Sequence, residues 1–390
     1  MEKPILIAGG GIGGLAAALA CSHAGWPVHL LERTREFGEV GAGIQLGPNV
    51  VRILHKWGLA RELEQVAAFP DMLRVRSAAN GEELGRLRLG ERVRTLYGAP
   101  YATIHRADMH EMLLEAVQQH SDAQLHLGQW VESFVDTGNS VEVNILDGEP
   151  MLAQALIGAD GLWSAVRHHL LQDGEPRVTG HLAYRALIAQ RDLPAELRSQ
   201  DIHVWLGPNL HVVQYPVRRG HWLNVVAIVH GQVRSDVDDW EHAAHASDLQ
   251  TAMGATCHPL QDLVEAISNW RLWALCDRPP MTGAHQHAHG RVALIGDAAH
   301  PMRPYMAQGA GMAIEDAACL QRMFAQPDIE MSKRLQLFAL ERWRRNARVQ
   351  ARSIRNGEIF HATGLVRWGR DKVMGMLGER LLDVPWLYHE

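Results

Sequence analysis

A glycine-rich turn near the start of the chain limits the possible folds more than any other feature. Residues 4–8 form an apolar run that predicts a buried strand, and residues 15–23 are mostly strong helix formers. Between them, Gly9, Gly11 and Gly14 satisfy the pattern G-x-G-x-x-G. The first glycine permits a tight turn, the second permits close approach of a pyrophosphate, and the third permits close packing of helix on strand. The order strand, turn, helix therefore predicts a nucleotide-binding unit.

A second predicted strand, residues 28–32, completes a βαβ unit. It ends at Glu32, 18 residues after Gly14, where a carboxylate can accept hydrogen bonds from ribose hydroxyls. The unpaired N–H groups at the start of the first helix offer a partial positive charge to a pyrophosphate. We therefore predict a bound dinucleotide, with further contacts from Ile12, Gly13 and Arg33.

Two later segments carry further motifs. Residues 158–161 (GADG) close one apolar run, and residues 291–301 (RVALIGDAAHP) close another before the glycine-rich segment 308–317. Together with the first glycine turn, these segments resemble the three signature motifs of the single-component flavoprotein aromatic hydroxylases, the group that includes p-hydroxybenzoate hydroxylase and salicylate hydroxylase. The resemblance covers the chain from Ile5 to about Arg352.

The resemblance implies that the dinucleotide is FAD. It implies that Asp297 accepts hydrogen bonds from the ribityl chain and that the helix start at Gly309, Ala310, Gly311 and Met312 faces the N1–C2=O edge of the flavin. Asp160 lies in a motif that family members use for FAD and for the pyrophosphate of NAD(P)H. Since no second complete glycine fingerprint is present, NADH or NADPH is expected to bind only transiently as the electron donor. The alternative for Asp160 and Asp297 is ordinary turn chemistry after a strand.

The same resemblance points to four more cofactor contacts. Residues 39–49 resemble the loop beside the isoalloxazine, which assigns Ala42 and Gly43 to the flavin. Arg106 resembles the arginine that contacts FAD, with an exposed arginine at a helix start as the alternative. Val131 matches the backbone position that reads adenine.

Residues 202–230 predict three antiparallel strands, and the middle one carries the substrate candidates. His211, Val213 and Tyr215 share one face of that strand. A histidine is suited to take a phenolic proton near neutral pH. The pair His211 and Tyr215 resembles that of 3-hydroxybenzoate 6-hydroxylases, in which the histidine activates the substrate hydroxyl and the tyrosine orients the substrate. Tyr215 as a plain core aromatic is the alternative. Gln45, Arg185 and Tyr305 are further candidate substrate contacts.

The function implied is that of an FAD-dependent monooxygenase. Such an enzyme uses NAD(P)H and O2 to hydroxylate a monohydroxybenzoate through a flavin C4a-hydroperoxide, here with 3-hydroxybenzoate to gentisate as the first choice. Pro304 departs from the 6-hydroxylase pattern, which has glutamine at this place, and resembles salicylate or hydroxynicotinate hydroxylases. Salicylate 1-hydroxylase and 6-hydroxynicotinate 3-hydroxylase are therefore alternatives. From a different class, a non-catalytic flavin-binding sensor or an NAD-only dehydrogenase stays open.

Composition and charge exclude other classes of function. The net charge of -6 argues against nucleic-acid binding, because that affinity comes from neutralising phosphates. The uncharged residues 4–22 hold too many glycines for a membrane span, so none is predicted. Four scattered cysteines fit neither a disulfide framework nor a zinc module and favour a cytoplasmic protein. His285, His287 and His289 alternate, but no carboxylate or cysteine lies among them, and we predict no metal.

The predicted fold class is α/β, with a Rossmann-like FAD-binding domain interleaved with a β-rich substrate domain, plus C-terminal helices. We place the FAD-binding domain at 1–178, interrupted by a β excursion near 70–105, and at 278–330. The substrate domain is expected at 179–277 and the helical tail at 331–390.

Helices are predicted at 49–67 with Asn49 as N-cap, at 107–119, at 309–324 and from 332 to about 360. In the last of these, Leu337, Leu340 and Trp343 are expected to pack inward beneath a basic, solvated or subunit-contacting face. The tail residues Trp368, Met374, Met376, Leu377 and Trp386 suggest a surface that covers a second subunit, and so a homodimer.

Overall fold

Helices and strands share the chain, and the computed structural model describes residues 3–38, 42–120, 122–231 and 242–389. The strands are β1 (Ile5–Ala8), β2 (Val28–Glu32), β3 (Gly43–Leu46), β4 (Met72–Ser77), β5 (Glu83–Arg88), β6 (Ala102–His105), β7 (Ala123–Leu127), β8 (Val131–Asp136), β9 (Val141–Ile145), β10 (Met151–Ala153), β11 (Ala155–Gly158), β12 (Arg177–Ala189), β13 (Ile202–Gly207), β14 (Leu210–Val217), β15 (Trp222–His230), β16 (His242–Ala244), β17 (Trp270–Asp277), β18 (Ala288–His289) and β19 (Val292–Leu294).

The helices are α1 (Ile12–His23), α2 (Pro48–Lys56), α3 (Ala60–Val66), α4 (Gly90–Tyr97), α5 (Arg106–Gln118), α6 (Ala165–Leu171), α7 (Ala246–Met253), α8 (His258–Glu265), α9 (Gly296–Ala299), α10 (Gly309–Phe324), α11 (Met331–Phe360), α12 (Gly364–Leu377), α13 (Glu379–Leu382) and α14 (Pro385–Tyr388). Short 3-10 helices lie at Gln190–Asp192, Ala195–Leu197, Ala284–Gln286 and Pro304–Met306. The α/β fold class is confirmed.

The first compact unit, unit 1, consists of Met1–Glu39, Ala107–Arg177 and Asp277–Ser353. Its main sheet has the strand order β18-β19-β11-β1-β2-β7. From β19 to β7 every pairing is parallel, and β18 adds an antiparallel edge. All residues of β1 and β11 are buried, as expected for central strands of a parallel sheet. Strands 5–8 and 292–294 lie far apart in the chain but join one sheet, as the interleaved organisation predicts.

The glycine turn between β1 and α1 is as tight as the sequence predicts. Gly9 has a φ of 102°, and a Cβ added to it would lie 2.5 Å from the carbonyl oxygen of Ala159. A Cβ on Gly14 would lie 1.8 Å from the carbonyl oxygen of Gly9. Both positions therefore exclude any side chain, because helix and strand backbones touch there. At its other end α1 stops at His23, and Gly25 follows with a φ of 83°, a left-handed conformation typical of a residue just past a helix end.

Helices α10 and α11 follow their predicted ranges closely, but the inward face of α11 was predicted wrongly. Leu340 is 52% exposed, and its predicted companions Leu337 and Trp343 are only half-buried. The buried side chains are instead those of Leu335, Phe338, Arg342, Asn346 and Val349. A different face of α11 from the predicted one is therefore turned inward, because Arg342 has acidic partners on α10.

Those acidic partners form a buried cluster around Asp316. Its carboxylate accepts hydrogen bonds from Arg342 Nε at 2.8 Å, from Asn346 Nδ2 at 3.0 Å and from the backbone N–H of Gly296 at 3.2 Å. His300 Nε2 lies 2.6 Å from the same carboxylate. Burial alone would raise the pKa of Asp316, but His300 and Arg342 outweigh burial and hold that pKa far below its ordinary range. The cluster ties α11 and α10 to the turn after β19.

The second compact unit, unit 2, consists of Val40–Arg106, Val178–Cys276 and Ile354–Glu390. Its large sheet has the order β16-β17-β12-β15-β14-β13-β4-β5, and β3 pairs with β6 in a small second sheet. The three antiparallel strands predicted within 202–230 are confirmed as β13, β14 and β15. The four-segment division predicted from the sequence stays a prediction about domain roles.

The two faces of the large sheet differ in what covers them. On one face Leu210, Val212 and Val225 pack with Leu249 of α7 and Leu260 of α8 in a hydrophobic core. Because side chains alternate along a strand, the opposite face carries His211, Val213 and Tyr215 from β14, with Asn224 and Val226 from β15 and Arg185 from β12. The predicted shared face is confirmed.

Two expectations about the predicted helix 49–67 were wrong. The predicted helix 49–67 is two helices, α2 and α3, because Gly58 between them has a φ of 84°. Gly47, not Asn49, is the N-cap of α2, since Pro48 occupies the first helical position.

Met374 does not belong to an outer surface, because its side chain is buried against Val75 and Leu206. Trp368, Met376 and Leu377 are exposed. No helix within the described ranges has both the length and the hydropathy needed to cross a bilayer.

We expect Asp316→Asn to lower the free energy of unfolding by about 3 kcal/mol, because it leaves the buried Arg342 with less compensating charge. Since folding depresses the pKa of Asp316, its contribution is present above about pH 4 and fades as the pH falls further. Urea unfolding of both proteins at pH 7 and at pH 3.5 measures the difference.

The matched control is Glu341→Gln, which removes an exposed carboxylate paired with Arg322 on the same two helices. A change within about 0.5 kcal/mol is expected for it. Equal losses in the two variants would contradict a special role for the buried cluster.

Candidate active site

A cavity of about 250 Å³ lies beside the glycine turn of unit 1. It gathers six of the predicted cofactor residues, which come from the turn after β1, the end of β2 and the residue after it, β8, and the loop after β11. Those six are Gly9, Gly11, Glu32, Arg33, Val131 and Asp160. Phe37, His110, Trp130 and Trp163 complete much of the wall.

Gly11 is the one glycine of the turn that faces open space. Within the described parts of the chain, no atom lies within 4 Å of the position that a Cβ on Gly11 would take. Gly9 and Gly14, in contrast, are closed off by backbone. The turn is therefore packed against protein on one side and accessible on the other, at the start of α1. This is the arrangement that a pyrophosphate needs, because backbone N–H groups can then approach its oxygens.

Glu32 has a structural role in this turn. Its Oε2 accepts a hydrogen bond from the backbone N–H of Gly10 at 2.7 Å, and its Oε1 accepts one from the N–H of Thr34 at 2.8 Å. On the other side of the turn, His110 Nε2 lies 2.7 Å from the carbonyl oxygen of Gly10. No sequence motif marks His110, which lies 100 residues from Gly10. The ribose contact predicted for Glu32 stays a prediction.

Asp160 also stabilises the turn in which it lies. Its carboxylate accepts hydrogen bonds from Ser164 Oγ at 2.5 Å and from the N–H of Val166 at 3.1 Å, at the start of α6. Burial raises the pKa of Asp160, and these hydrogen bonds oppose the rise. The turn alternative recognised in the sequence is therefore present in the structure, while the residue also lines the cavity.

The third motif lies next to the first one within unit 1. A Cβ on Gly13 in α1 would lie 3.4 Å from the Cβ of Ala313 in α10. Asp297 is exposed in α9, and its Oδ1 lies 4.0 Å from the Cβ position of Gly309, where α10 begins. Two helix N-termini and an exposed carboxylate therefore adjoin, although 300 residues separate them. Ala310, Gly311 and Met312 form the first turn of α10.

In unit 2, Gly43 lies against the predicted substrate face. A Cβ on Gly43 would lie 2.6 Å from Tyr215 Cε2 and 2.8 Å from Asn224 Cγ. The N–H of Gly43 donates to Asn224 Oδ1 at 2.7 Å. Asn224 Nδ2 is buried and has no hydrogen-bond partner among the described residues. Of the loop that carries Ala42 and Gly43, residues 39–41 lie outside the described residues.

Arg185 is a half-buried cation on the same sheet face. Its guanidinium carbon lies 3.5 Å from the ring centroid of Trp273, a cation–π contact. Its Nε is buried and has no hydrogen-bond partner within the described ranges. Burial lowers the pKa of Arg185 to about 9, while Tyr215 acts in the opposite direction. Burial raises the pKa of Tyr215, so its hydroxyl stays protonated at neutral pH. A desolvated cation with a spare donor is suited to bind a carboxylate.

His211 is deeply buried, with 2% of its surface exposed. Its Nδ1 lies 2.8 Å from Nε2 of His361, a residue that no motif in the sequence marks. Burial, followed by the neighbouring His181, lowers the pKa of His211 to about 3. The imidazole is therefore neutral near pH 7, with one ring nitrogen able to accept a proton.

The remaining candidates have the following places. Gln45 Oε1 accepts a hydrogen bond from the Tyr101 hydroxyl at 2.8 Å. Arg106 begins α5, and its backbone N–H donates to the Ala42 carbonyl at 2.8 Å. Tyr305 is buried in the 3-10 helix that Pro304 opens, in unit 1.

The alternating histidines at 285–289 do not share a strand face, because a 3-10 helix and a two-residue strand replace the expected strand. His287 is instead buried beside His300 and Asp316, where its Nε2 lies 2.9 Å from Asn346 Nδ2. Its Nδ1 lies 2.9 Å from the carbonyl oxygen of Leu294. Both of its ring nitrogens therefore have protein partners.

Comparison with known proteins gives consistent results. A family model described as an FAD-binding domain matches residues 2–352. The chain is 38% identical over 99% of its length to a 3-hydroxybenzoate 6-hydroxylase from Polaromonas naphthalenivorans (strain CJ2), of which it covers 96%. It is 36% identical over 98% of its length to a protein of the same name from Klebsiella oxytoca, again covering 96% of that relative.

Among solved structures, a salicylate hydroxylase in complex with its substrate matches with a TM-score of 0.83 and 28% identity. The match covers 100% of this chain and 96% of that one.

Substitutions at Gly11 and Gly14 test the cofactor site, because one should weaken FAD binding and the other should lower protein stability. Gly14→Ala places a Cβ against the Gly9 carbonyl and should lower the free energy of unfolding of the flavin-free protein by about 2 kcal/mol or more. Gly11→Ala adds a methyl group that meets no atom of the described residues, so this free energy should change by less than about 1 kcal/mol. It should nevertheless weaken FAD binding at least tenfold, because its methyl group occupies the space left for the pyrophosphate.

Urea unfolding of flavin-free protein and titration with FAD, followed by quenching of flavin fluorescence, measure the two effects. Wild-type FAD affinity in Gly11→Ala would contradict the assignment of that space to the cofactor.

Proposed function

The chain belongs to the FAD-binding-domain family of flavoprotein aromatic hydroxylases, and from this premise we propose that it hydroxylates 3-hydroxybenzoate to gentisate with NAD(P)H and O2. The observation that carries the choice of substrate is similarity along nearly the whole chain to two relatives named for that reaction. Both names specify an aromatic ring with one hydroxyl and one carboxylate. Arg185 and His211, on the second face of the unit 2 sheet, match those two substituents.

Arg185 would bind the carboxylate. Its guanidinium supplies charge, and its Nε, which has no hydrogen-bond partner among the described residues, supplies a donor. Both Arg185 and Val213 pair in register with Val226, so two half-buried valines provide an apolar surface beside the cation. An aromatic ring can lie on such a surface. Tyr215 would fix the ring at one end of the surface, four residues along β14 from His211.

His211 would accept the proton of the phenolic hydroxyl. Removing that proton raises the electron density at the ring carbons ortho and para to the oxygen, and position 6 of 3-hydroxybenzoate is para to it. The neutral imidazole has an acceptor nitrogen for this step. FAD, when bound and reduced by NAD(P)H, would activate O2, and the new oxygen atom on the ring would come from that O2. The protein residues bind, orient and deprotonate the substrate.

The residues proposed to hold FAD are those of the three motifs and their neighbours. They are Gly9, Gly11, Ile12, Gly13, Gly14, Glu32, Arg33, Ala42, Gly43, Arg106, Val131, Asp160, Asp297, Gly309, Ala310, Gly311 and Met312. The open space at Gly11 and the cavity beside it support the pyrophosphate and adenosine contacts. The adjoining N-termini of α1 and α10 support the contacts near Asp297. Gln45 and Tyr305 are proposed as additional substrate contacts.

A second candidate reaction is favoured by one residue. Pro304 opens the 3-10 helix that holds Tyr305, at the place where the sequence departs from the 6-hydroxylase pattern. Salicylate 1-hydroxylation is the second candidate for that reason, with 6-hydroxynicotinate as a further alternative. All three substrates carry a carboxylate and an aromatic hydroxyl, so the roles of Arg185 and His211 are the same in each.

The deciding experiment is a substrate panel of 3-hydroxybenzoate, salicylate and 6-hydroxynicotinate, assayed by oxygen uptake with NADH and with NADPH. We expect 3-hydroxybenzoate to give the highest kcat/KM and gentisate as its product. Release of CO2 from salicylate at a higher kcat/KM would replace this assignment with the second candidate. Oxygen consumed only to hydrogen peroxide with every compound would contradict the proposed function.

Arg185 provides the matched control within the same panel. Arg185→Met should raise KM for 3-hydroxybenzoate at least tenfold but change KM for 3-hydroxybenzyl alcohol, which lacks the carboxylate, much less. Arg185→Lys keeps the charge and should be intermediate. An equal effect on both compounds would place the carboxylate elsewhere.

We also propose a cytoplasmic homodimer. The exposed apolar side chains of α12, among them Leu365, Val366 and Trp368, are the surface that supports it. Sedimentation of the purified protein should give twice the chain mass of 43.4 kDa. In Trp368→Asp the mass should shift towards the monomer. Sedimentation of the wild type as a monomer at micromolar concentration would exclude the dimer.

A further inference from the structure

A chain of three histidines runs from the buried substrate candidate His211 to the protein surface. His211 Nδ1 lies 2.8 Å from His361 Nε2, and His361 Nδ1 lies 2.8 Å from His230 Nε2. Exposure rises along the chain: His211 and His361 are 2% and 5% exposed, whereas His230 is exposed to solvent. Both ring nitrogens of the central His361 belong to the chain.

We propose that His361 and His230 carry the phenolic proton of the substrate from His211 to bulk water. The inference rests on the proposed function in one respect, since it takes His211 as the first proton acceptor. It adds the route by which the proton leaves a buried site.

The relay balances with one proton in and one proton out. The substrate O–H gives its proton to His211 Nε2, while His211 Nδ1 faces His361. The proton on His211 Nδ1 passes to His361 Nε2, the proton on His361 Nδ1 passes to His230 Nε2, and His230 Nδ1 releases a proton to water. The substrate is left as the phenolate. The reverse relay returns a proton to the product oxygen and restores the original tautomers.

The electrostatics of the cluster favour a relay over a stored charge. Burial, together with His211, His181, His230 and Arg370, lowers the pKa of His361 to about 2. An imidazolium at His361 would therefore be costly at neutral pH. A neutral imidazole has one donor and one acceptor nitrogen, so three in sequence can transfer a proton without any of them holding a net charge.

The backbone fixes the central residue in place. His361 directly follows α11, and its carbonyl accepts a hydrogen bond from the N–H of Asn209 at 3.2 Å. Arg370 of α12 donates to the carbonyls of Ile359 and Phe360 at 3.1 and 2.7 Å, at the end of α11. The Phe360 ring packs edge-on against His211, with centroids 5.4 Å apart. These contacts hold the helix end against β14, where the relay needs it.

A metal site is the competing explanation, because His181, His230 and His361 each bring a potential ligand atom within 4.8 Å of the others. Two observations oppose it. The rings of His181 and His230 stack at 4.4 Å with an angle of 18° between their planes, so their in-plane lone pairs run side by side and do not converge tetrahedrally. His361 Nδ1 is also already directed at His230 Nε2.

The test uses the FAD-loaded full-length protein and two variants, His361→Gln and His230→Gln. Glutamine can hydrogen-bond but cannot relay a proton. We expect kcat for hydroxylation to fall at least tenfold in each, with the KM for the substrate and the FAD affinity within twofold of wild type. His221→Gln, which removes an exposed histidine from the turn between β14 and β15, is the control and should match wild type.

Two further readouts separate a relay from a structural role. Stopped-flow ultraviolet spectra should show phenolate forming at least tenfold more slowly in both variants, without turnover being required. Added imidazole should restore the rate in His230→Ala, because the missing ring lies at the surface, but not in His361→Gln.

The outcomes distinguish this inference from the proposed function. If the wild type hydroxylates no compound of the panel, the proposed function fails. If the wild type is active and both glutamine variants form phenolate at the wild-type rate, the relay alone is overturned. Stoichiometric zinc in the purified protein that disappears in His181→Ala would also overturn it, in favour of a metal site.

Discussion

The contact between backbones at Gly9 and Gly14 is the constraint on which the rest of the structure depends. No Cβ fits at either position, so α1 approaches β1 closely enough for the unpaired N–H groups of its first turn to lie beside the carboxyl end of the sheet. Gly13 then lets α10 approach α1, and Asp297 comes to lie beside the start of α10. The Asp316 cluster stabilises the same region, because Asp316 in α10 contacts Gly296, His300 and Arg342. Segments 300 residues apart therefore adjoin at a few places where side chains are absent, and these segments form the cofactor site that we propose.

In unit 2, the two faces of the large sheet have different roles. One face is apolar and packs on α7 and α8, while the other carries a half-buried cation, a protonated tyrosine and a neutral histidine. Burial is the main cause of the pKa shift of each of those three groups. A hydroxybenzoate needs these three properties together: charge for its carboxylate, an apolar surface for its ring and a base for its hydroxyl. The alternation of side chains along β14 keeps that chemistry apart from the core without any additional layer.

Much of this could be predicted from sequence, and the exceptions have physical causes. The glycine turn, the three strands of 202–230 and the range of α10 were predictable because each is encoded locally, in spacing or in alternation. The orientation of α11 was not. Its buried face includes Arg342 and Asn346, which hydropathy assigns to solvent, and the reason lies in Asp316 on another helix. His361 escaped notice for the same reason, since nothing in 150 residues of intervening sequence indicates that it meets His211. Asp160 shows the reverse case, in which a motif residue also performs the ordinary turn role that its local sequence predicts.

The central claim is that the separated motifs together bind one FAD. The most direct measurement is the identity and amount of flavin released when the purified full-length protein is denatured, by chromatography against FMN and FAD standards. The account predicts a yellow protein that releases FAD alone, close to one molecule per chain. A colourless protein that binds NAD+ but takes up no FAD on titration would contradict it.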